Sequence, residues 1–437
     1  MRSVTLATLL PAVALLPAVA LLMVGCTASS GDSANSGSVA LPAGGAGVNT
    51  TPATTMSPND DGVLRLGVLA PISGDNAGIG LSIEATVRYA VDLVNDAGGV
   101  NGAPVEVAIV DEGSDIATAT AAVDELVKDR VDAVIGPASS TVTLAVLETF
   151  QRNQIVTCSP TATTMALDDY PDGGLFFRTA PSDALEAEAI ARAIDQTGRS
   201  NVGMLYADDA YGRPFADQVR AALAARSIVV TAEVPFSTVG ASYDSDVLAV
   251  LDAEVITVIG ALDTGSLVVA AVADASIGED TPIIVNDAMR SLPTTEAFAG
   301  LSASTIGRII AIGPRPRPDN EEFVNALDAA TAGQGGLFAA NAYDCVNLVA
   351  LATDVAGSAD PRDIAGRIPS IAGSGSRCIA FAECAAALAA GRNVDYDGPT
   401  GLLQLAFDGD PNRSVYDVIG FDPDGTERDL GSLIVNV

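Results

Sequence analysis

The sequence predicts an α/β protein built as two doubly wound lobes, each a parallel sheet with helices on both faces. Three observations carry that prediction. From residue 63 onward, short runs that are apolar throughout alternate with stretches whose apolar residues recur at helical spacing. Strands apolar on both sides are strands buried on both sides, as in parallel sheets sandwiched between helices. The alternation also starts afresh after FFRTAPSD (176–183), and 437 residues exceed what a single compact core organises.

The elements follow in order. VLRLGVLA (63–70) is a strand, and GIGLSIEATVRYAVDLVNDAGG (78–99) is a helix stopped by Gly. PVEVAIVDEG (104–113), VDAVIG (131–136) and QIVTCS (154–159) are strands; DIATATAAVDELVKDR (115–130) and STVTLAVLETFQRN (140–153) are the helices between them. The second unit runs NVGMLYAD (201–208), a helix from Tyr211, IVVTAEVPF (228–236), a helix, VITVIG (255–260), a helix and TPIIVND (281–287). GRIIAIGPRPRP (307–318) interrupts the pattern as a linker. Helical stretches follow, including GLFAANAYDCVNLVALATDVAG (336–357), and the chain closes with short strands in GLLQLAF (401–407) and SVYDVIGF (414–421). No repeat of solenoid period is present.

Composition narrows the function. The chain is 49% hydrophobic but only 4% aromatic, so its cores are made of Ala, Val, Leu and Ile. A formal charge of −33 opposes nucleic acid and anionic lipid surfaces and suits a solvated acidic exterior. There is no histidine, which removes Ser-His-Asp and Cys-His machinery and the usual zinc ligand. Lys128, the single lysine, follows no Gly-rich loop, so a Walker-type phosphate site is absent. No enzyme activity, metal or cofactor is expected.

The N-terminus reads as an address. Arg2 precedes an apolar run and small residues ahead of Cys26, the pattern of an export signal. A transmembrane anchor is the competing reading, against which stand two prolines and one flanking charge. MVGC (23–26) resembles a bacterial lipobox, which implies a lipoprotein signal peptide over 1–25 and lipidation at Cys26. Acyl chains then tether the protein to the membrane. Residues 26–60, rich in Ser, Gly, Ala, Thr and Pro, form a flexible spacer. Of the other cysteines, Cys378 and Cys384 in CIAFAEC are spaced for a local disulfide, whereas Cys158 and Cys345 sit in apolar runs and read as small buried hydrophobes.

Two neighbouring strands end in small hydroxyl residues, VIGPASS (134–140) and SPTAT (159–163). Ligands of open parallel sheets bind beyond the carboxyl ends of the strands, where helix N-termini point. Ser139, Ser140, Thr161 and Thr163 are therefore either N-caps or neutral donors to a negatively charged group. One such turn favours caps; two adjacent turns favour a ligand site.

Taken in order, GVLAPISGDNAGIG, AGGVNGAPVEV, DEGSDIATATAAVDELV, VIGPASS, SPTAT, FRTAPSD, DDAYGR, NAYDCVNLVALA and YDGPTG resemble the type I solute-binding proteins of ABC importers, in the branched-chain amino acid branch, over nearly all of 63–437. The resemblance implies two lobes that close like a clamshell about three crossovers, near Thr179–Ser182, Ile312–Arg315 and Leu405–Asp408. Lobe I is then 63–180 plus 315–404, and lobe II 181–314 plus 405–437. It implies that Ser140 and Thr163 hold an α-carboxylate, that Thr161 offers its carbonyl to the ammonium, and that Ala138, Ser139 and Ala162 share that rim. Tyr211 closes over the ligand, with Tyr206 as a rival, and Asp287 pairs with the ammonium; a turn or cap aspartate is the plainer reading of Asp287. Ile79 stands where relatives often place an aromatic residue. Ile79 and Leu262 suit an aliphatic ligand, Asp263 a polar one. Neutral donors at one end and an acid at the other match a zwitterion.

The expected protein is thus a monomeric, extracytoplasmic, lipid-anchored receptor. It takes a small amino acid, branched-chain or related, or an amide-like solute, and delivers it to an ABC permease with its ATPase. Three rivals remain: a lipid-anchored sensor of the same fold, an exported carboxylate hydrolase using the acidic pairs in DDY (168–170) or ADD (207–209), and a structural surface protein.

Overall fold

The computed structural model describes residues 61–436, except 75–76, 114, 210, 241, 276, 279, 315–320, 334–335, 337, 402 and 406–407. The signal segment, the spacer and Cys26 lie outside the described residues. No helix of the described residues is long and apolar enough to cross a membrane.

One five-stranded sheet contains β1 (Arg65–Ala70), β2 (Glu106–Asp111), β3 (Ala133–Ile135), β4 (Val156–Ser159) and β5 (Phe176–Arg178), in the order β2-β1-β3-β4-β5 and parallel throughout. β1, β3 and β4 are almost wholly buried because helices cover both faces. Local signals set the element ends. Asp115 caps helix Ile116–Asp129 by accepting from Ala117 N and Thr118 N at 2.9 and 3.0 Å. At Gly136, φ is +120° and a Cβ would lie 2.1 Å from Leu69 O, so only glycine permits β3 to leave so close to β1.

The larger sheet contains β6 (Asn201–Ala207), β7 (Val229–Phe236), β8 (Val255–Ile259), β9 (Ile283–Val285) and β10 (Ile309–Pro314). Beyond a small parallel pair, β11 (Ser376–Cys378) with β12 (Val394–Tyr396), the chain returns to this sheet as β13 (Arg413–Phe421) and β14 (Glu427–Asn436). The order is β14-β13-β10-β9-β8-β6-β7. Here the sequence reading needs three corrections. IIAIGP is a strand paired parallel to β9, not a linker. GLLQLAF forms no strand among its described residues; Leu405 makes only an isolated bridge with Pro411. The C-terminal strands run antiparallel, β13 against β10 and β14 against β13, so this sheet is mixed at one edge. β14 escaped notice because one face of an edge strand is wet, and ERDLGSLIVN lacks an apolar run.

Helix Ala339–Ala356 returns to the five-stranded sheet and is buried almost all round, from Ala342 to Thr353. Its apolar residues join those of β1, β3 and β4 in one core. This helix brings Cys345 to Cys158 on β4, and the two form a disulfide with Cα atoms 5.7 Å apart. That corrects the reading of both as buried thiols. Apolar surroundings hid a partner 187 residues away. Cys378 and Cys384 are also joined.

Candidate ligand-binding site

At the carboxyl end of β3, Ser139 is the N-cap of helix Ser140–Arg152, its Oγ accepting from Val142 N at 3.5 Å. Two amides of this turn are taken. Glu112, buried just past β2, accepts Ala138 N at 2.9 Å through Oε2 and Ser139 N at 3.1 Å through Oε1. A carboxylate of the protein itself thus takes the two amides just before Ser140. Burial pushes Glu112 up to about 7, against the pull of those two amides. Ser140 is half-buried beside this pair.

The turn after β4 is tied to the same rim. Thr161 donates its hydroxyl to Ala138 O at 2.5 Å, and Ser159 donates to Pro137 O at 2.7 Å while accepting from Ala162 N at 3.0 Å. No α-helix starts here; Thr164 caps a single 3-10 turn, Met165–Leu167. The helix-dipole argument therefore holds for Ser140 and fails for Thr161 and Thr163. Instead the turn is gripped from below by the wholly buried Arg178, which donates to Ala162 O at 3.2 Å and Thr164 O at 3.0 Å.

Thr163 O accepts from Asp183 N at 2.8 Å, joining this turn to the first residue of helix Asp183–Gln196. Asp183 and Glu186, one turn apart, face the end of β9, where Glu186 Oε1 accepts Asp287 N at 2.7 Å. Asp287 opens a 3-10 turn and takes Ala288 N at 2.6 Å, so the turn-aspartate reading is also satisfied. Three carboxyls are thereby assembled, of which only Asp287 was anticipated. Asp183 and Glu186 are buried and Asp287 is half-buried. Burial, then the Asp287 charge, push Asp183 up to about 8, with the Thr163 hydroxyl and Arg178 opposing. The same two causes carry Glu186 well above the carboxylate range, and burial raises Asp287. The missed acids lie in FRTAPSD and the helix after it, in a first turn where acids suit the helix dipole whatever else they do.

Tyr211 stands at the N-cap position of helix Gly212–Ala224, half-buried, its ring edge-on to Phe215 at 5.7 Å. Its hydroxyl accepts from Asn286 Nδ2 at 3.0 Å, which ties it to the residue before Asp287. Tyr206 is buried in the core instead. A cavity of about 670 Å3 opens on Asp287 and is lined by Thr179, Pro181, Phe323, Leu327, Phe338 and Leu403 among others. Its wall mixes apolar side chains with Asp287, Asp328, Glu427, Arg290 and Arg413, so apolar surface and a few charged groups converge on one space, as in small-molecule sites. Of the residues expected at the site, Asp287 lines the cavity; the Ala138–Ser140 and Thr161–Thr163 turns and Tyr211 do not, Ile79 and Leu262 pack on the two cores, and Asp263 is exposed.

Known proteins resemble the chain in sequence and in fold. Over 358 residues the chain is 28% identical to the chemotactic signal transduction system substrate-binding protein BasB of Halobacterium salinarum, covering 78% of this chain and 83% of that one. Over 312 residues it is 28% identical to the Leu/Ile/Val-binding protein homolog 1 of Brucella suis, covering 69% and 80%. The crystal structure of the branched-chain amino acid transporter substrate binding protein LivJ from Streptococcus pneumoniae, in complex with isoleucine, superposes with a TM-score of 0.69 at 21% identity, over 86% of this chain and all of that one. A solute binding protein from R. palustris in complex with benzoate gives 0.67 at 18% identity, over 86% and 97%. Residues 63–417 match the periplasmic binding protein family, and with its parallel-sheet α/β lobes the chain belongs to that family of solute-binding proteins, which are not enzymes.

Proposed function

We propose that the protein is the extracytoplasmic receptor of an ABC importer for a small α-amino acid, branched-chain or of similar size, held by its ammonium at Asp287. The observation that carries this reading is Asp287 itself: an acid that lines the cavity beside Pro181, Phe323, Leu327 and Leu403 and is fixed in place through its own amide by Glu186. Ser140 and Thr163 supply uncharged hydroxyls for the carboxylate, Thr161, Ala138, Ser139 and Ala162 shape that rim, and Tyr211 covers the ligand on closure. Ligand shifts a population of open and closed forms by its extra contacts in the closed one. The lobes are taken as 63–180 plus 315–404 and 181–314 plus 405–437, the signal peptide as 1–25, and Cys26 as the lipid-bearing residue of an anchored monomer. The substrates in the names of the Brucella relative and of the LivJ complex support the ligand class. A thermal-shift panel of the common L-amino acids tests it. Stabilisation by isoleucine, leucine or valine is expected, and a flat panel overturns the reading.

A second reading, a sensor that passes the same ligand signal to a membrane partner, is favoured by one observation, the chemotactic role in the name of the Halobacterium relative. Loss of amino acid uptake on deletion of the gene, with chemotaxis intact, separates the two.

A further inference from the structure

Behind Asp287 lies more acid than one ammonium requires. Glu186 Oε1 accepts the Asp287 amide at 2.7 Å, and Asp183 sits one turn earlier on the same helix, its amide held by Thr163 O at 2.8 Å. Both are within 2% of full burial. Asp183 Oδ1 has no hydrogen-bond partner, and neither has the hydroxyl of Tyr416, wholly buried on β13 and electrostatically in contact with all three acids. Of the cations nearby, Arg178 is committed to Asp410 and Asp168, and Arg290 to Glu427 and Asp417. Tyr211, with its partner Asn286, closes the remaining side and offers no positive charge.

Resting on the function proposed above, we infer that Asp183 is a proton-exchanging residue of the site: it holds a proton in the empty protein and releases it to solvent when a ligand ammonium settles on Asp287. Three packed carboxyls cannot all be charged without a cation. The Oδ1 atom of Asp183 lacks the donors that would stabilise a carboxylate. An arriving ammonium is the missing cation, and Asp183, pushed up to about 8, is then the acid poised to ionise near neutrality. Glu186, raised further, keeps its proton and positions Asp287. By linkage, ligand affinity rises with pH up to about 8 and falls in acid. Glu112, at about 7 on the Ala138–Ser139 rim, titrates in the same range and adds its own slope.

The test is calorimetric titration of the full chain with L-isoleucine at pH 7 in two buffers of different ionisation enthalpy, with Kd followed from pH 6 to 8. Release of about half a proton or more, with Kd falling roughly tenfold over that range, is expected. Asp183→Asn should lose most of the release, whereas Glu186→Gln, whatever it does to Kd by shifting Asp287, should retain it. Binding with buffer-independent heat overturns the inference alone, as does full release from a folded Asp183→Asn, which would pass the proton to Glu112. If Asp183→Asn does not fold, the wild-type proton count decides. No binding of isoleucine, leucine or valine overturns the functional reading and the inference with it.

Discussion

Arg178 and Asp410, 232 residues apart in sequence, meet in a two-pronged contact, Nε to Oδ1 at 2.7 Å and Nη2 to Oδ2 at 2.5 Å. Asp168 takes the guanidinium from the other side, and its carboxylate also accepts the Ser182 hydroxyl. One buried cation thus fastens the turn bearing Thr161 and Thr163, the segment after β5 and the chain returning toward β13. Arg178→Ala leaves the buried Asp410 without its cation and should cost about 3–5 kcal/mol in urea unfolding. Arg178→Lys should recover only part, since an ammonium lacks the planar fork. A loss under 1 kcal/mol for the alanine variant would show the cluster to be hydrated and weak.

The Cys158–Cys345 bond closes a loop of 187 residues between β4 and helix Ala339–Ala356. Replacing both cysteines with serine should lower stability by about 3–5 kcal/mol, because so long a loop restricts the unfolded chain strongly. Removing Cys378–Cys384, separated by six residues, should cost less. Comparing Tm for the two double variants checks the ranking.

For Asp287→Asn, the amide that Glu186 accepts remains while the charge goes. Isoleucine affinity should fall by about 2 kcal/mol or more. An unchanged Kd would reduce Asp287 to the turn residue that its bond to Ala288 N also describes.

Stability should fall with rising pH. Asp183, Glu112 and Asp344 ionise in the folded protein at about 8, 7 and 7, above their ordinary values of 3.8, 4.5 and 3.8. Burial is the first cause in each. The folded chain therefore holds more protons than the unfolded one. Their stabilisation is complete below pH 4 and is lost as pH climbs through 7 to 8. Asp183→Asn removes one such group. Relative to wild type it should gain on the order of 2 kcal/mol between pH 5 and 8, measured by urea unfolding at both values; a parallel pH profile would count against it.

Gly409 has φ of +85°, and a Cβ there would lie 2.2 Å from Phe176 O. Its carbonyl accepts Arg178 N at 3.1 Å, so the same glycine seats the arginine. Gly409→Ala should destabilise by more than about 1 kcal/mol through strain and displacement together. A Tm within a degree of wild type would mean the backbone shifts freely.

Elements packed on both faces announced themselves in the chain. β1, β3, β4, β8 and β9 carry apolar runs because burial on two sides demands them, and Asp115, Ser139 and Ser182 cap helices through purely local bonds. Asp287 and Tyr211 were legible through the order of motifs, and the structure links them through Asn286. β14 stayed hidden because eight of its ten residues are exposed, and Cys158 found its partner only once a distant helix folded back. Whether the Ala138 and Ser139 amides were free, and whether Asp183 and Glu186 were plain first-turn acids, depended on neighbours 26 to 101 residues away. Period and local capping are properties of adjacent residues, so the sequence alone determined the strands buried on both faces, the capped helices and the α/β class. Desolvation and charge crowding arise only when separated segments meet, so the acid cluster, the occupied amides and the buried arginine were decided by the tertiary structure.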